Sequence, residues 1–233
     1  MDWSRTLMRA FLKPARVAGI ETIAANFRLI ALESPAFREH AWAPGQKIQI
    51  AMGSAFTNRT YTPIEWDRAE GRTRVLAYAH GEGPGSAWIR ALQTGDSCDV
   101  FGPRASLDAP PASARAALFG DETSLGLAHA LQRRHARGAF DVLLEVRDLA
   151  GAARVVDRLG MEGVTLTAAQ ADGTHLAAIE ARLCEVARGH AHLVLTGKAQ
   201  SIKPLRQALR AGGVPSSRIE TKAYWAVGKR GLD

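Results

Sequence analysis

The chain has 233 residues, 46% of them hydrophobic and 23% charged, with a formal net charge of +7. That length holds one large domain or two small ones, each able to bury its own core, and no apolar run approaches the roughly 20 residues of a membrane-spanning helix. The basic balance suits anionic partners, but the cations are dispersed and aromatics make up only 6%, which argues against a nucleic-acid surface.

In chain order, the start "MDWSRTLMRAFLKPARV" is basic, acid-poor and mildly amphipathic. It lacks the continuous apolar core and cleavage site of a secretory signal. It is read as part of the fold of a cytoplasmic protein, with a transit peptide as the alternative. Next come strand patterns: "NFRLIALES" (26–34), apolar on both faces; "QKIQIAM" (46–52), with Ile48 and Ile50 alternating with Lys47 and Gln49; "RTRVLAYAH" (72–80); and "DSCDVFGP" (96–103). The turn signals "APGQ", "EGPGS" and "TGD" separate them. One short helix is expected in "SAWIRALQ" (86–93). Several short strands without a long helix predict a small antiparallel β-barrel over residues 1–108.

"LDAPPASARA" (107–116) is the linker candidate, and the rhythm changes after it. Short apolar runs at "AALFG" (116–120), "FDVLLEV" (140–146), "GVTLTAA" (163–169) and "HLVLTG" (192–197) alternate with other segments. Among these, "THLAAIEARLCEVA" (174–187) and "SIKPLRQALRAGG" (201–213) have helical character. This predicts a doubly wound α/β domain with a parallel sheet over residues 115–233.

The chemistry-bearing segments are few. In "RTYTP" (59–63) an extended backbone puts Arg59 and Tyr61 on one face, Thr60 and Thr62 on the other. A cation beside an aromatic plane suits a ligand with an anionic tail and a flat ring; read alone, the same pentapeptide is an ordinary strand end. "HGEGPGSAWI" (80–89) places Gly83, Pro84, Gly85 and Ser86 before a helix, which is either an anion-binding amide cluster or a plain capped turn. Cys98 and Cys184 have no CxxC spacing and are read as free thiols; "HAH" (190–192) has no accompanying ligands, and no metal is assigned. Lys198 in "TGKAQS" (196–201) closes the fourth apolar run, where it is either a phosphate ligand or a solvated loop lysine.

Together these segments resemble the siderophore-interacting, FAD-dependent ferric reductases of the ferredoxin–NADP reductase superfamily. The resemblance runs through "PGQKIQI" (44–50), "RTYTP", "HGEGPGSAWI", "GDSCDVFGP" (95–103), "LFGDETSLG" (118–126) and "KAYWAVGKRG" (222–231), in family order along nearly the whole chain. It implies that FAD is bound, with Arg59 on a flavin phosphate, Tyr61 stacked on the ring and Thr62 donating near its N5. His80 is expected beside the ring or ribityl chain. Gly83, Gly85 and Ser86 would lie on the pyrophosphate and Trp88 on the adenine side. Tyr61 and Thr62 are the residues implied next to the reacting ring. NADH or NADPH is implied as donor, near Gly120, Asp121, Thr123 and Lys198, with Thr123 capping the following helix. Asp121 and Glu122 repel phosphate, and no G-x-G-x-x-G is present.

Tyr224 and Trp225 would cover the flavin or pack the sheet. An anionic ferric siderophore is the implied acceptor, with Lys47, Arg104, Lys229 and Arg230 as candidate cations. The stretch between "QKIQIAM" and "RTYTP" is short for the family, which bears on the acceptor more than on flavin. Two other readings share the residues: an NAD(P)H:flavin reductase or electron-transfer module feeding a redox protein, and a non-catalytic binder of anionic chelates.

Overall fold

The computed structural model describes residues 12–52 and 58–229, and the chain divides into two units, Met1–Ser106 and Leu107–Asp233. Most of the segment linking "QKIQIAM" to "RTYTP", and Arg230 near the end, lie outside the described residues.

The first unit is an antiparallel sheet of β1 (Lys13–Ala24), β2 (Phe27–Glu33), β3 (Gln46–Ala51), β4 (Asn58–Tyr61), β5 (Pro63–Asp67), β6 (Arg72–Tyr78) and β7 (Ser97–Ala105). Its order is β4-β3-β7-β1-β2-β6-β5. The outermost strands β4 and β5 are consecutive in sequence, with Thr62 alone between them; β4 also comes up to β6 and β3 to β5, which curls the sheet into a barrel. Alternation drives this burial. Ile48 and Ile50 of β3, Val75 and Ala77 of β6, and Val100 of β7 point inward with Val17, Ile30 and Leu32. Helix α1 (Pro84–Ala91) follows β6 and buries Ile89 against the same core.

Two strands escape a pattern reading. β1 shows little alternation, and its pairing with both β2 and β7 settles it. β5 follows β4 without a turn signal, because Pro63 does not end the extended run but opens the next strand, opposite Val75. Pro63 cannot donate to a ladder, so it suits the first position of an edge strand.

The second unit has five parallel strands, β8 (Ala116–Gly120), β9 (Phe140–Val146), β10 (Val164–Ala168), β11 (His192–Lys198) and β12 (Ile219–Trp225), in the order β10-β9-β8-β11-β12. Its helices are α2 (Leu125–Gln132), α3 (Leu149–Arg158), α4 (Leu176–Arg188) and α5 (Ala199–Ala211). Every residue of β8 is buried, as a central parallel strand covered on both faces requires. One face packs Ala117, Phe119, Leu143 and Leu195 against Ile179, Leu183, Ile202 and Leu205 of α4 and α5. The other, with Leu118, Val142 and Leu144, is equally buried, with α2 against β9 and α3 against β10. From β8 the chain moves outward through β9 and β10, then returns to β11 on the other side of β8. That reversal opens a crevice at the carboxyl ends of β8 and β11, the usual ligand position in such sheets.

Candidate functional site

Within the first unit, "RTYTP" is the crossing between the two edges of the barrel sheet. In the β3–β4 ladder Arg59 stands opposite Ile50 and Tyr61 opposite Ile48. Both isoleucines are fully buried, and Tyr61 packs half-buried on the core they belong to. Burial pushes the Tyr61 phenol far above its ordinary pKa, against the pull of Arg59, so it is an uncharged plate with a polar tip. Arg59 is exposed and donates to the Asn58 carbonyl at 2.7 Å.

The two segments singled out in the sequence meet here. A Cβ on Gly85 would stand 3.1 Å from both Cγ and Nε of Arg59, so the arginine lies across the first turn of α1. That turn has Gly83 as N-cap, Pro84 at its start and no acidic residue. The first N–H bonded within the helix is that of Ala87, to Gly83 O at 3.0 Å, so the Gly85 and Ser86 amides precede the intrahelical ladder. A guanidinium against the positive end of a helix is unfavourable unless an anion joins them. The residues present therefore fit a pyrophosphate, held by charge on one side and by amides on the other.

The opposite end of α1 is fixed by a residue that sequence reading missed. Arg28 of β2 donates to Ile89 O at 2.5 Å and Leu92 O at 3.1 Å. Its distance of 61 residues from Ile89 left no local signal.

The other residues of these two motifs take the following positions. The Ser86 hydroxyl is buried and donates to His80 O at 2.6 Å, so only its backbone faces the helix start. His80 is exposed, with its ring stacked on Tyr78 at 5.8 Å. Trp88 is half-buried and packs on the barrel core. Thr62 is half-buried at the β4–β5 junction. Of the candidate chelate cations, Lys47 and Arg104 stand directly opposite each other on β3 and β7, with Arg104 bonded to Gln49 and 4.2 Å from the Phe101 ring centre. Lys229 is exposed near the end of the second unit.

Within the second unit, Gly120, Asp121 and Thr123 lie at the carboxyl end of β8, and Lys198 ends β11 beside it. Asp121, rather than Thr123, is the cap. Its carboxylate accepts the Thr123 N–H at 2.9 Å and the Thr123 hydroxyl, while Ser124 Oγ accepts the Asp121 N–H at 3.4 Å. The Asp121 side chain also accepts Trp225 Nε1–H at 2.7 Å. Burial raises the Asp121 pKa to about 6, with the Thr123 and Trp225 hydrogen bonds opposing it. The β11–β12 register slips after Gly197, which pairs with Ala223, so that Lys198 pairs with Trp225 and Tyr224 is the bulged residue. This re-aims Trp225 toward Asp121. The indole lies 5.5 Å from the Arg147 guanidinium carbon and 5.9 Å from Lys198 Nζ. Arg147 had no motif to mark it. Tyr224 is half-buried on β12.

Comparison with known proteins gives these arrangements a family. Residues 46–107 match the siderophore-interacting FAD-binding domain, and residues 113–228 match the siderophore-interacting protein model. Among curated proteins none shows significant sequence similarity. Among solved structures, the siderophore-interacting protein SipS from Aeromonas hydrophila superposes with a TM-score of 0.76 at 23% identity, over 94% of each chain. A siderophore utilization protein from T. fusca gives 0.74 at 21% identity, over 95% of each chain. Phthalate dioxygenase reductase, described as modular for electron transfer from pyridine nucleotides to a 2Fe–2S centre, gives 0.75 at 19% identity, over 95% of this chain and 70% of its own. The antiparallel sheet followed by a parallel α/β sheet is their shared fold. Among the described residues no helix is long and apolar enough to cross a membrane. The matches over both units, in the order the motifs follow, make the chain a member of the siderophore-interacting protein family with its FAD-binding domain.

Proposed function

We propose that this protein reduces the iron of ferric siderophores or related anionic ferric chelates, with NADH or NADPH as donor, in the cytoplasm. The single observation that carries the reading is the meeting of Arg59 with the first turn of α1 at Gly85. Arg59 neutralises one side of the FAD pyrophosphate, and the Gly83–Ser86 backbone donates from the other. Tyr61, uncharged and backed by the barrel core, offers a plane to the flavin ring. Thr62, at the strand crossing, is placed to donate near the flavin N5. His80 lines the ring or ribityl side, and Trp88 supports the adenine side from the core.

When bound, FAD supplies the conversion this reaction needs, because a nicotinamide gives two electrons and Fe(III) takes one. Reduction weakens the match between iron and hard oxygen ligands, so the chelator survives while iron leaves. Asp121, Thr123 and Lys198 belong to the donor side, with Gly120 giving the close approach of β8. Tyr224 and Trp225 close the same strand ends. Lys47 and Arg104 are the cations proposed to draw in the chelate.

The test is stopped-flow spectroscopy of the flavin band. NADH or NADPH should bleach it, and a ferric chelate should restore it with ferrous iron trapped by a chromogenic chelator. Bleaching without restoration by any ferric chelate would sink the acceptor. The likeness to phthalate dioxygenase reductase supports a second reading, an electron-transfer module for a redox protein. Faster reoxidation by a 2Fe–2S protein than by ferric chelates would favour it.

A further inference from the structure

Helix α1 carries two polar side chains, those of Ser86 and Arg90, to which the flavin reading gives no task. They stand four residues apart, so they share one face of the helix, and side chains on a helix lean back toward its amino end. In that direction lies the loop 80–83, which leads into the turn that meets Arg59. The buried Ser86 hydroxyl donates to His80 O at 2.6 Å. One turn later, Arg90 donates to Gly81 O at 3.0 Å, and its other terminal nitrogen lies 3.9 Å from the Glu82 carboxylate.

The loop has little of its own to hold it. Residues 80–83 are all exposed. Gly81 has φ +65°, in the left-handed region that favours glycine, and nothing lies within 4 Å of where its Cβ would stand. Gly83 is the N-cap and has no side chain with which to close the helix start. A segment of this kind samples many conformations, and ordering it on binding costs affinity unless it is tied down beforehand. Glu82 adds a second cost. It precedes the N-cap, and its charge has the sign that a helix start and Arg59 attract. Arg90 competes for that carboxylate from the other side.

We propose that Ser86 and Arg90 are positioning residues for FAD, which tie loop 80–83 to α1 and so keep the helix-start amides and Arg59 open to the pyrophosphate. This rests on the reading that the turn at Gly83–Ser86 holds that pyrophosphate. The Ser86 hydroxyl then acts through the His80 carbonyl rather than as a phosphate ligand, and Arg90 acts through Gly81 and Glu82.

Fluorescence titration of the flavin-free full chain with FAD and with riboflavin separates the phosphates from the ring. Ser86→Ala and Arg90→Ala should each weaken FAD roughly three- to tenfold, as the loss of one hydrogen bond implies, and leave riboflavin unchanged. Arg90→Lys, which keeps a donor for Gly81 O, should recover part of the loss, and so should Glu82→Gln added to Arg90→Ala. Before any flavin is added, amide exchange over residues 81–86 should quicken in both alanine variants, while the strands of the second unit exchange as in the wild type. Unchanged FAD affinity in either alanine variant, an equal loss for FAD and riboflavin, or native amide exchange over 81–86 overturns the proposal. Arg59→Ala leaves these bonds in place and separates the inference from the reading beneath it. FAD weakened there but not in Ser86→Ala or Arg90→Ala sinks the inference alone, whereas native FAD affinity in Arg59→Ala sinks the phosphate reading.

Discussion

Arg59 and Asp121 show two ways a charged side chain is placed under constraint. Arg59 lies where the helix dipole opposes it, and an anion relieves both. In Arg59→Ala, loss of one charge-assisted contact should weaken FAD binding by roughly 10- to 100-fold. The flavin-to-protein absorbance ratio after gel filtration measures this, and an unchanged ratio contradicts the assignment. Asp121 is held near pKa 6 by burial, against an ordinary 3.8. Between those values the folded chain keeps a proton that the unfolded chain has released. Ionisation therefore costs stability as pH rises through that window, by up to about 3 kcal/mol, and nothing further is lost above it. In Asp121→Asn that loss should disappear. Urea unfolding at a series of pH values checks it, and parallel stability curves for the two proteins would refute it. Arg59 and Tyr61 were legible as a cation and a plane in the sequence. The partners of Asp121 were not, because Trp225 is 104 residues away.

Helix α1 is an element whose two ends do different work. Pro84 after Gly83 starts it, and Arg28 closes it from another strand. Arg28→Ala leaves carbonyls of the last turn without their cation and should cost about 1–2 kcal/mol of stability, with weaker FAD binding because the helix start shifts. Chemical denaturation with flavin fluorescence follows both, and native values of each would show that the cap is idle. β3, by its alternation, and β8 and β9, as short apolar runs, were visible as strands. Four elements were hidden, for separable reasons. β1 lacks alternation, β5 lacks a turn before it, and β12 is an edge strand with a polar sequence and a bulge. Helix α3 is small-residue rich, with Val155 as its one large fully buried side chain.

The whole molecule carries a formal charge of +7. Long-range attraction between this charge and an anionic chelate is screened over about 8–10 Å at ordinary ionic strength. The kcat/KM for an anionic ferric chelate should therefore fall several-fold between roughly 0.02 and 0.2 M salt, while a neutral one changes little. Equal salt dependence for both chelates would remove charge from the account of acceptor choice.

Composition, periodicity and short motifs were enough to reveal two kinds of architecture in one chain, the cation-and-ring strand and the glycine-lined helix start. These are local properties: alternation follows from strand geometry, and helix-start chemistry from a few adjacent residues. What brought Arg59 onto Gly85, Arg28 onto the far end of α1, and Arg147, Lys198 and Asp121 around Trp225 was strand order and register. Those pairings join residues far apart in the chain, and only burial of a shared core decides which of them occur.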